Sequence, residues 1–314
     1  MDLSRFKPKG SILHKHLLTL KDYSAGDIAE ILTLAIALKR DARKGKFKPL
    51  LKGKTLAMIF AKSSTRTRVS FEQGIRQLGG NSLFLSSSDI QLGRGETISD
   101  TAKTLSRYNI DGVMIRTFKQ SDVEELAKAG SFSVINGLTD DFHPCQALAD
   151  LMTIYEYHGK LNGVKLVFSG EGNNVSHSLL IGGAKMGMDV VCASPKGYGP
   201  VPEILAEAQK FGNATVTDDL NEAVTGAKVI YTDVFFSMGQ AQDKAKFDAF
   251  MPYQITEKHF ALADKNAVFM HCLPAHRGEE VASEVIDSSY SIIFEQAENR
   301  LHAQKAVMAL LMKK

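Results

Sequence analysis

A cysteine stands between two histidines near the end of the chain, in the stretch FMHCLPAHRG (269–278). Cys272, flanked by His271 and His276, could be a thiolate nucleophile, a zinc ligand, or simply a small buried side chain. The residue types in this stretch do not decide among these three interpretations, so the decision depends on the rest of the chain.

A denser group of polar donors lies in AKSSTRTRVSFE (61–72), which follows an apolar strand pattern and opens a helix. Helix N-termini present backbone N–H groups and the positive end of the helix dipole, so they favour anions. The glycine spacing of a Walker A loop is absent. The plainer alternative is a capped helix with two solvated arginines, but a cap needs one donor and here five follow in a row: Ser64, Thr65, Arg66, Thr67 and Arg68.

Other polar residues stand where predicted strands end. Arg116 closes GVMIRTF (112–118), His143 comes just before a helix opened by Pro144, and Asp233 closes KVIYTDV (228–234). Each also has a plainer interpretation, as a surface residue or a cap. Because ligands collect at the carboxyl ends of parallel strands, we expect these side chains to line a common cleft.

The stretch GEGNNVSH (170–177) resembles a dinucleotide-binding fingerprint only in its first residues. Val175 occupies the third glycine position, and the following strand ends without an acidic residue, so a nicotinamide cofactor is not expected. Asn173 and Asn174 instead present amides that suit a small zwitterion, unless they merely tolerate the turn.

The elements that must position these residues alternate between strand and helix. This order predicts an α/β fold of two doubly wound parallel-sheet domains with the active site in the cleft between them. The predicted domains are 1–150 and 151–296, with a C-terminal helix of about 297–314 packing back on the first. The predicted strands are 55–61, 81–86, 112–118, 132–136, 164–170, 188–194, 214–217, 228–234, 267–272 and 291–296.

Composition narrows the class of protein. The net charge of +3 over 314 residues, without long basic runs, argues against nucleic acid or an anionic membrane as the main partner. Three cysteines without a CxxC motif suit a reducing compartment. No apolar run reaches the ~20 residues of a membrane span. We therefore expect a cytoplasmic protein.

Four motifs together resemble the aspartate/ornithine carbamoyltransferase family: SSTRTRVSFE, HPCQALAD, DVFFSMG and MHCLPAHRG. The similarity extends over essentially the whole chain, including AENRLHAQKAV near its end. The resemblance implies transfer of the carbamoyl group of carbamoyl phosphate to an amine, without metal or organic cofactor, by a homotrimer whose sites borrow residues from a neighbouring subunit. The last two motifs indicate L-ornithine as the acceptor, with citrulline and phosphate as products of this step of arginine biosynthesis.

The resemblance also implies a role for individual residues. Arg116, His143 and Cys272 would be catalytic. Cys272 and Leu273 would lie where carbamoyl phosphate meets the reacting amine of ornithine. Ornithine would be held by Asn174, Asp233, Ser237 and Met238. Carbamoyl phosphate would be held by Ser64, Thr65, Arg66, Thr67, Gln91, Arg116, His143, Gln146, Cys272, Leu273 and Arg300.

Two positions depart from the family pattern, Glu171 where aspartate is frequent and Phe235–Phe236 where a tryptophan is common. Aspartate or N-acetylornithine as acceptor would not explain the SMG loop, whereas putrescine stays the main alternative. A dehydrogenase would not explain residues 64–68, and a non-catalytic binding protein would have lost site residues. Under this resemblance, Cys272 is neither a nucleophile nor a zinc ligand. It is a side chain in the wall of the acceptor site, and it orients the amine.

Overall fold

A computed structural model of the chain describes residues 3–236 and 243–313, apart from the side chains of residues 4 and 93. These residues form two compact units. The first unit runs from Leu3 to Met152 and resumes at Asn299, and the second unit spans Thr153–Glu298. Both divisions fall inside long helices.

The first unit contains a four-stranded parallel sheet in the order β2-β1-β3-β4. Strands β1 and β3 are almost continuously apolar because helices cover both faces of the sheet. The strands are Thr55–Phe60 (β1), Asn81–Ser86 (β2), Gly112–Arg116 (β3) and Ser133–Leu138 (β4). The helices are Ala25–Arg43 (α1), Thr65–Gln77 (α2), Ile98–Arg107 (α3), Gln120–Ala129 (α4) and Pro144–His158 (α5).

The second unit has a five-stranded parallel sheet in the order β7-β6-β5-β8-β9. The strands are Lys165–Ser169 (β5), Asp189–Ala193 (β6), Ala214–Thr217 (β7), Val229–Thr232 (β8) and Val268–His271 (β9). The helices are Asn174–Lys185 (α6), Pro202–Gln209 (α7), Leu220–Val224 (α8), Lys244–Phe250 (α9), Glu257–Leu262 (α10) and Ser283–Ile286 (α11). A long helix, Ile293–Met312 (α12), ends the described chain. The two parallel sheets confirm the predicted fold class.

The strand orders create one switch point in each sheet, where the direction of winding reverses. In the first unit it lies between β1 and β3, and in the second unit between β5 and β8. Crevices at the carboxyl ends of such strands are where open α/β sheets bind ligands. Within each unit, this position therefore marks the region in which functional side chains are expected.

The predicted strand at 291–296 is wrong. Only Ser291 forms a bridge with Phe269, and α12 begins two residues later. Ile293, Gln296 and Arg300 are buried while Phe294 is exposed, which is the spacing of a helix with one buried face. The short helices α9, α10 and α11 were not predicted, because four to seven residues carry too little periodicity to identify. Within the described residues, no helix has the length and apolar character needed to cross a bilayer.

Candidate active site

The N-terminus of α2 directly follows the end of β1 at the switch point of the first unit. Ser64 is the N-cap, and its Oγ accepts the backbone N–H of Thr67 at 3.2 Å. The same hydroxyl donates to Thr67 Oγ1 at 3.1 Å, so the capping interpretation holds for Ser64. Thr65 remains exposed and Arg66 half-buried at the start of the helix. This end of α2 therefore combines a capped helix with further donors for an anion.

Arg68 does not belong with the other donors. Its Nε donates to Glu72 Oε1 at 3.1 Å, and its guanidinium lies 3.7 Å from the centroid of the Phe84 ring. The sequence does carry a signal for this pair, because residues four apart on a helix share a face and the glutamate competes for the arginine.

Arg116 is the last residue of β3 and lies beside Phe60, the last residue of β1. It is only 6% exposed, so it is not the surface residue of the plainer interpretation. A buried guanidinium at the carboxyl ends of two neighbouring strands concentrates positive charge at the switch point.

Arg300 of α12 joins three polar side chains of the first unit. Its Nη1 donates to Gln146 Oε1 at 2.7 Å and its Nη2 to Thr67 Oγ1 at 3.4 Å. Its Nε donates to Gln304 Oε1 at 2.9 Å. The guanidinium thereby links α12 to the N-terminal turns of α5 and α2, with its plane held by three acceptors.

A second layer of buried side chains supports these contacts. Gln146 Nε2 donates to Asp150 Oδ1, and Gln304 Nε2 donates to Ser70 Oγ, at 2.8 and 2.7 Å. Ser70 Oγ also donates to the backbone carbonyl of Arg66 at 2.6 Å. The sequence predictions missed Asp150, Gln304 and Ser70. Each follows a predicted site residue by four positions on the same helix, which is the signal that could have identified them.

His143 lies at the entrance to α5 and is almost completely buried. Burial, followed by the charges of Arg300, Arg116 and Arg66, holds its pKa well below the usual value of 6.5. The imidazole is therefore neutral near pH 7 and can polarise a carbonyl oxygen without adding charge. The same repulsion shows that these three arginines and His143 lie in one electrostatic environment.

Gln91 is not brought to this group. It opens a short 3₁₀ helix, Gln91–Arg94, with its side chain exposed. Within the described part of the chain, no side-chain hydrogen bond joins Gln91 to the other predicted residues, so its role stays a prediction.

In the second unit, the register of β8 and β9 brings Asp233 and Cys272 together. Thr232 pairs with His271, so the two residues that follow project from adjacent strand ends. Cys272 Sγ donates to Asp233 Oδ1 at 3.0 Å, and the backbone N–H of Val234 donates to the same oxygen at 2.8 Å. The pairing of the two strands explains why residues 39 positions apart are in contact.

Asn173 completes this group from the turn between β5 and α6. Its Oδ1 accepts the backbone N–H groups of Val175 and Ser176, which makes it the N-cap of α6. Its Nδ2 donates to Asp233 Oδ2 at 2.8 Å, so the Asp233 carboxylate receives donors on both oxygens. Asn174, the predicted ornithine residue, opens α6 beside it. Ser237 and Met238 lie outside the described residues.

His271 stabilises the turn that follows Cys272. Its Nδ1 accepts the backbone N–H of Leu273 at 2.8 Å, and its Nε2 lies 3.2 Å from Glu280 Oε1 in a fully buried pair. This contact supports Leu273, which has a left-handed φ of 60° that a leucine rarely adopts.

Three potential metal ligands lie close together at Cys272. Ligand atoms of Asp233, His271 and Cys272 lie within 4.8 Å of one another, a proximity that the sequence did not predict. Nδ1 of His271 already accepts a backbone N–H, so its other nitrogen, Nε2, is the proton donor to Glu280. Neither ring nitrogen has a lone pair left for a metal, so these residues do not fit a zinc site.

Both units match domains of known proteins. Residues 15–156 match the carbamoyl-P binding domain, and residues 162–311 the Asp/Orn binding domain, of aspartate/ornithine carbamoyltransferase. The ornithine carbamoyltransferase of Oceanobacillus iheyensis is 57% identical over 304 residues, 95% of this chain and 94% of that protein. That of Bacillus subtilis is 55% identical over 310 residues, 97% and 96% of the two chains.

Solved structures agree with these sequence matches. The ornithine carbamoyltransferase from Pyrococcus furiosus superposes with a TM-score of 0.92 at 52% identity, covering 96% of this chain and 98% of that one. The enzyme from Thermus thermophilus gives a TM-score of 0.88 at 39% identity over 96% and 100%. Domain matches, identity and fold lead to one conclusion: the chain belongs to the aspartate/ornithine carbamoyltransferase family.

Proposed function

We propose that the protein transfers the carbamoyl group of carbamoyl phosphate to the side-chain amine of L-ornithine, producing L-citrulline and phosphate. The observation that carries the proposal is the group of donors at the switch point of the first unit, where Arg300 donates to Gln146 and to Thr67 in the first turn of α2, and Arg116 is buried at the end of β3. Thr67, Arg116 and Gln146 lie within the residues that match the carbamoyl-P binding domain. Relatives at 54–57% identity over most of the chain carry the name ornithine carbamoyltransferase, which supports ornithine as acceptor.

The first unit would bind carbamoyl phosphate. The N-terminus of α2 and the guanidinium groups would hold the phosphate, whose negative charge grows as the carbon–oxygen bond to it breaks. His143 and Arg116 would polarise the carbamoyl oxygen. The neutral amine forms the new nitrogen–carbon bond and loses one proton, while phosphate leaves. Removing one such preorganised donor typically costs ~100- to 1000-fold in rate.

The second unit would bind ornithine through Asn174, Asp233 and Cys272, with Ser237 and Met238 as further proposed contacts. The Cys272 thiol donates to Asp233, which holds the sulfur as a thiol beside the acceptor-side carboxylate. We therefore assign Cys272 an orienting role, and not that of a covalent nucleophile.

We further propose a homotrimer in the cytoplasm. In the first unit, Leu17 bridges Ile135 and covers β4, whereas no described strand pairs with the outer side of β2. Leu83 and Phe84 of β2 and Val69 of α2 are exposed, and a hollow of about 440 Å³ lies between the two elements. An exposed strand edge with apolar side chains favours association with another chain.

An acceptor panel tests the proposed reaction. With carbamoyl phosphate as donor, we expect ureido-product formation with L-ornithine to exceed that with putrescine, L-aspartate or N-acetylornithine by at least about 100-fold, because buried polar groups left unpaired by the wrong acceptor penalise binding. Colorimetric detection of the ureido product measures all four. Faster turnover of putrescine would replace ornithine by the diamine, and faster turnover of either remaining acceptor would reject the assignment.

A further inference from the structure

Lys246, in the first turn of α9, is a buried cation to which the proposed reaction assigns no role. It is 8% exposed, and its Nζ lies 2.8 Å from Oε1 of Glu171. Three aromatic rings surround the ammonium, with centroids 5.4 Å away for Phe236, 5.6 Å for Phe250 and 5.9 Å for Tyr198. A lysine rarely becomes this buried without a specific partner, and both the carboxylate and the ring faces favour its charge.

The partner of Lys246 belongs to the turn that carries the acceptor-side asparagines. Glu171 lies in the segment between β5 and α6, two residues before Asn173. Asn173 caps α6 and donates to Asp233 Oδ2, as described above. Glu171 is therefore two residues along the backbone from Asn173, which holds the Asp233 carboxylate.

The turn is also held by direct backbone contact. Gly172 donates its N–H to the carbonyl of Tyr198 at 2.8 Å, and a Cβ at Gly172 would lie only 2.1 Å from the nitrogen of Pro200. Lys246 contacts the ring of the same Tyr198. One ammonium thus joins α9, the Glu171 turn and the segment before α7.

We propose that Lys246 is a positioning residue of the acceptor site, which acts through Glu171 to hold Asn173, Asn174 and Asp233 in place. The inference rests on the proposed function. Without the ammonium, the largely buried Glu171 carboxylate loses its ion-pair partner. Loss of the ion pair would release the turn from α9, and with it the donors offered to ornithine.

Steady-state kinetics on three variants test the inference. Lys246→Met keeps the length and packing but removes the charge, and we expect it to raise the KM for ornithine by about 10-fold or more, with the KM for carbamoyl phosphate changed less than about 2-fold. Lys246→Arg retains the cation and the ring contacts, and should stay within about 3-fold of wild type in both constants. The double variant Lys246→Met/Glu171→Gln removes both charges, and its KM for ornithine should lie between those of the two single variants.

The matched control is Lys228→Met, which removes the ion pair with Asp264 just before β8, at the end of the strand opposite Asp233. It should leave the KM for ornithine unchanged.

An ornithine KM within about 3-fold of wild type in Lys246→Met, or an equal rise in both KM values, would overturn the inference. If Lys246→Met does not fold, the double variant decides. It should fold because it carries no unpaired buried charge, and a normal ornithine KM in it would also overturn the inference. Failure of wild type to use ornithine would instead reject the proposed function.

Discussion

At the scale of single residues, the positions that end strands were predictable and their partners were not. Arg116, His143 and Asp233 could be identified because alternating strands and helices place strand ends along the sequence. Asp150, Ser70 and Gln304 contact other predicted residues, Gln146, Arg66 and Arg300, each four positions earlier on the same helix. Each lies on a helical face where polar groups are buried with partners, which a periodic apolar pattern does not reveal.

The neutral state of His143 predicts how stability depends on pH. In the folded protein its pKa lies well below 6.5, whereas the unfolded chain takes up a proton as the pH falls through about 6.5. Protons therefore favour the unfolded chain, and the free energy of unfolding falls below that pH. Between pH 7.5 and 5.5 this one group accounts for roughly 1 kcal/mol.

Urea unfolding of wild type and His143→Gln at both pH values measures this contribution. The variant should lose roughly 1 kcal/mol less than wild type on acidification, since glutamine does not titrate. Equal losses in the two proteins would show that His143 is protonated in the folded state, against the repulsion by the three arginines.

At the scale of elements, strand register explains the acceptor group better than any motif does. Pairing of Thr232 with His271 sets Asp233 beside Cys272. The order of strands could not be obtained from the sequence, because alternation predicts a parallel sheet without saying which strands are neighbours. The incorrect strand at 291–296 has a related cause, since a short apolar run is compatible with either a strand or the buried face of a helix.

The close contact at Gly172 gives a prediction for the turn between β5 and α6. Gly172→Ala would place a Cβ 2.1 Å from Pro200 N and 2.2 Å from Gly199 C, both backbone atoms that cannot rotate away. We expect a loss of about 1–3 kcal/mol in the free energy of unfolding, together with weaker ornithine binding. Denaturant unfolding and ornithine titration measure the two effects.

Gly199→Ala is the matched control, because the added Cβ would meet only Val216 Cγ2, at 3.4 Å. Its stability should change by less than about 1 kcal/mol. If the two variants were equally stable, the 170–173 turn would have to be free to move away from the segment before α7.

At the scale of the whole molecule, composition and alternation were sufficient to predict two α/β units and to exclude a disulfide framework. Composition and alternation could not predict the oligomeric state, because an exposed strand edge becomes recognisable only when the strand order is known. In the first unit that edge is β2, at the end of the order β2-β1-β3-β4.

The proposed trimer can be measured by light scattering on the purified protein. Wild type should have about three times the 34.4 kDa mass of one chain. Leu83→Glu places a charge on the β2 edge and should shift the mass towards one chain, because an unpaired charge in an apolar interface is costly. Leu262→Glu, at a position of similar exposure in α10, should remain trimeric. A trimeric Leu83→Glu would place the interface elsewhere.

The thiol–carboxylate contact of Cys272 also bears on oxidative damage. Sulfur reacts with peroxides and alkylating agents as the thiolate, whereas the Cys272 sulfur donates a hydrogen bond to Asp233 Oδ1. Burial raises the pKa of Cys145 to about 12 and that of Cys192 to about 11. Burial thus keeps Cys145 and Cys192 in their unreactive form, so Cys272, held by Asp233 in the wall of the acceptor site, is the sulfur whose oxidation would alter that site.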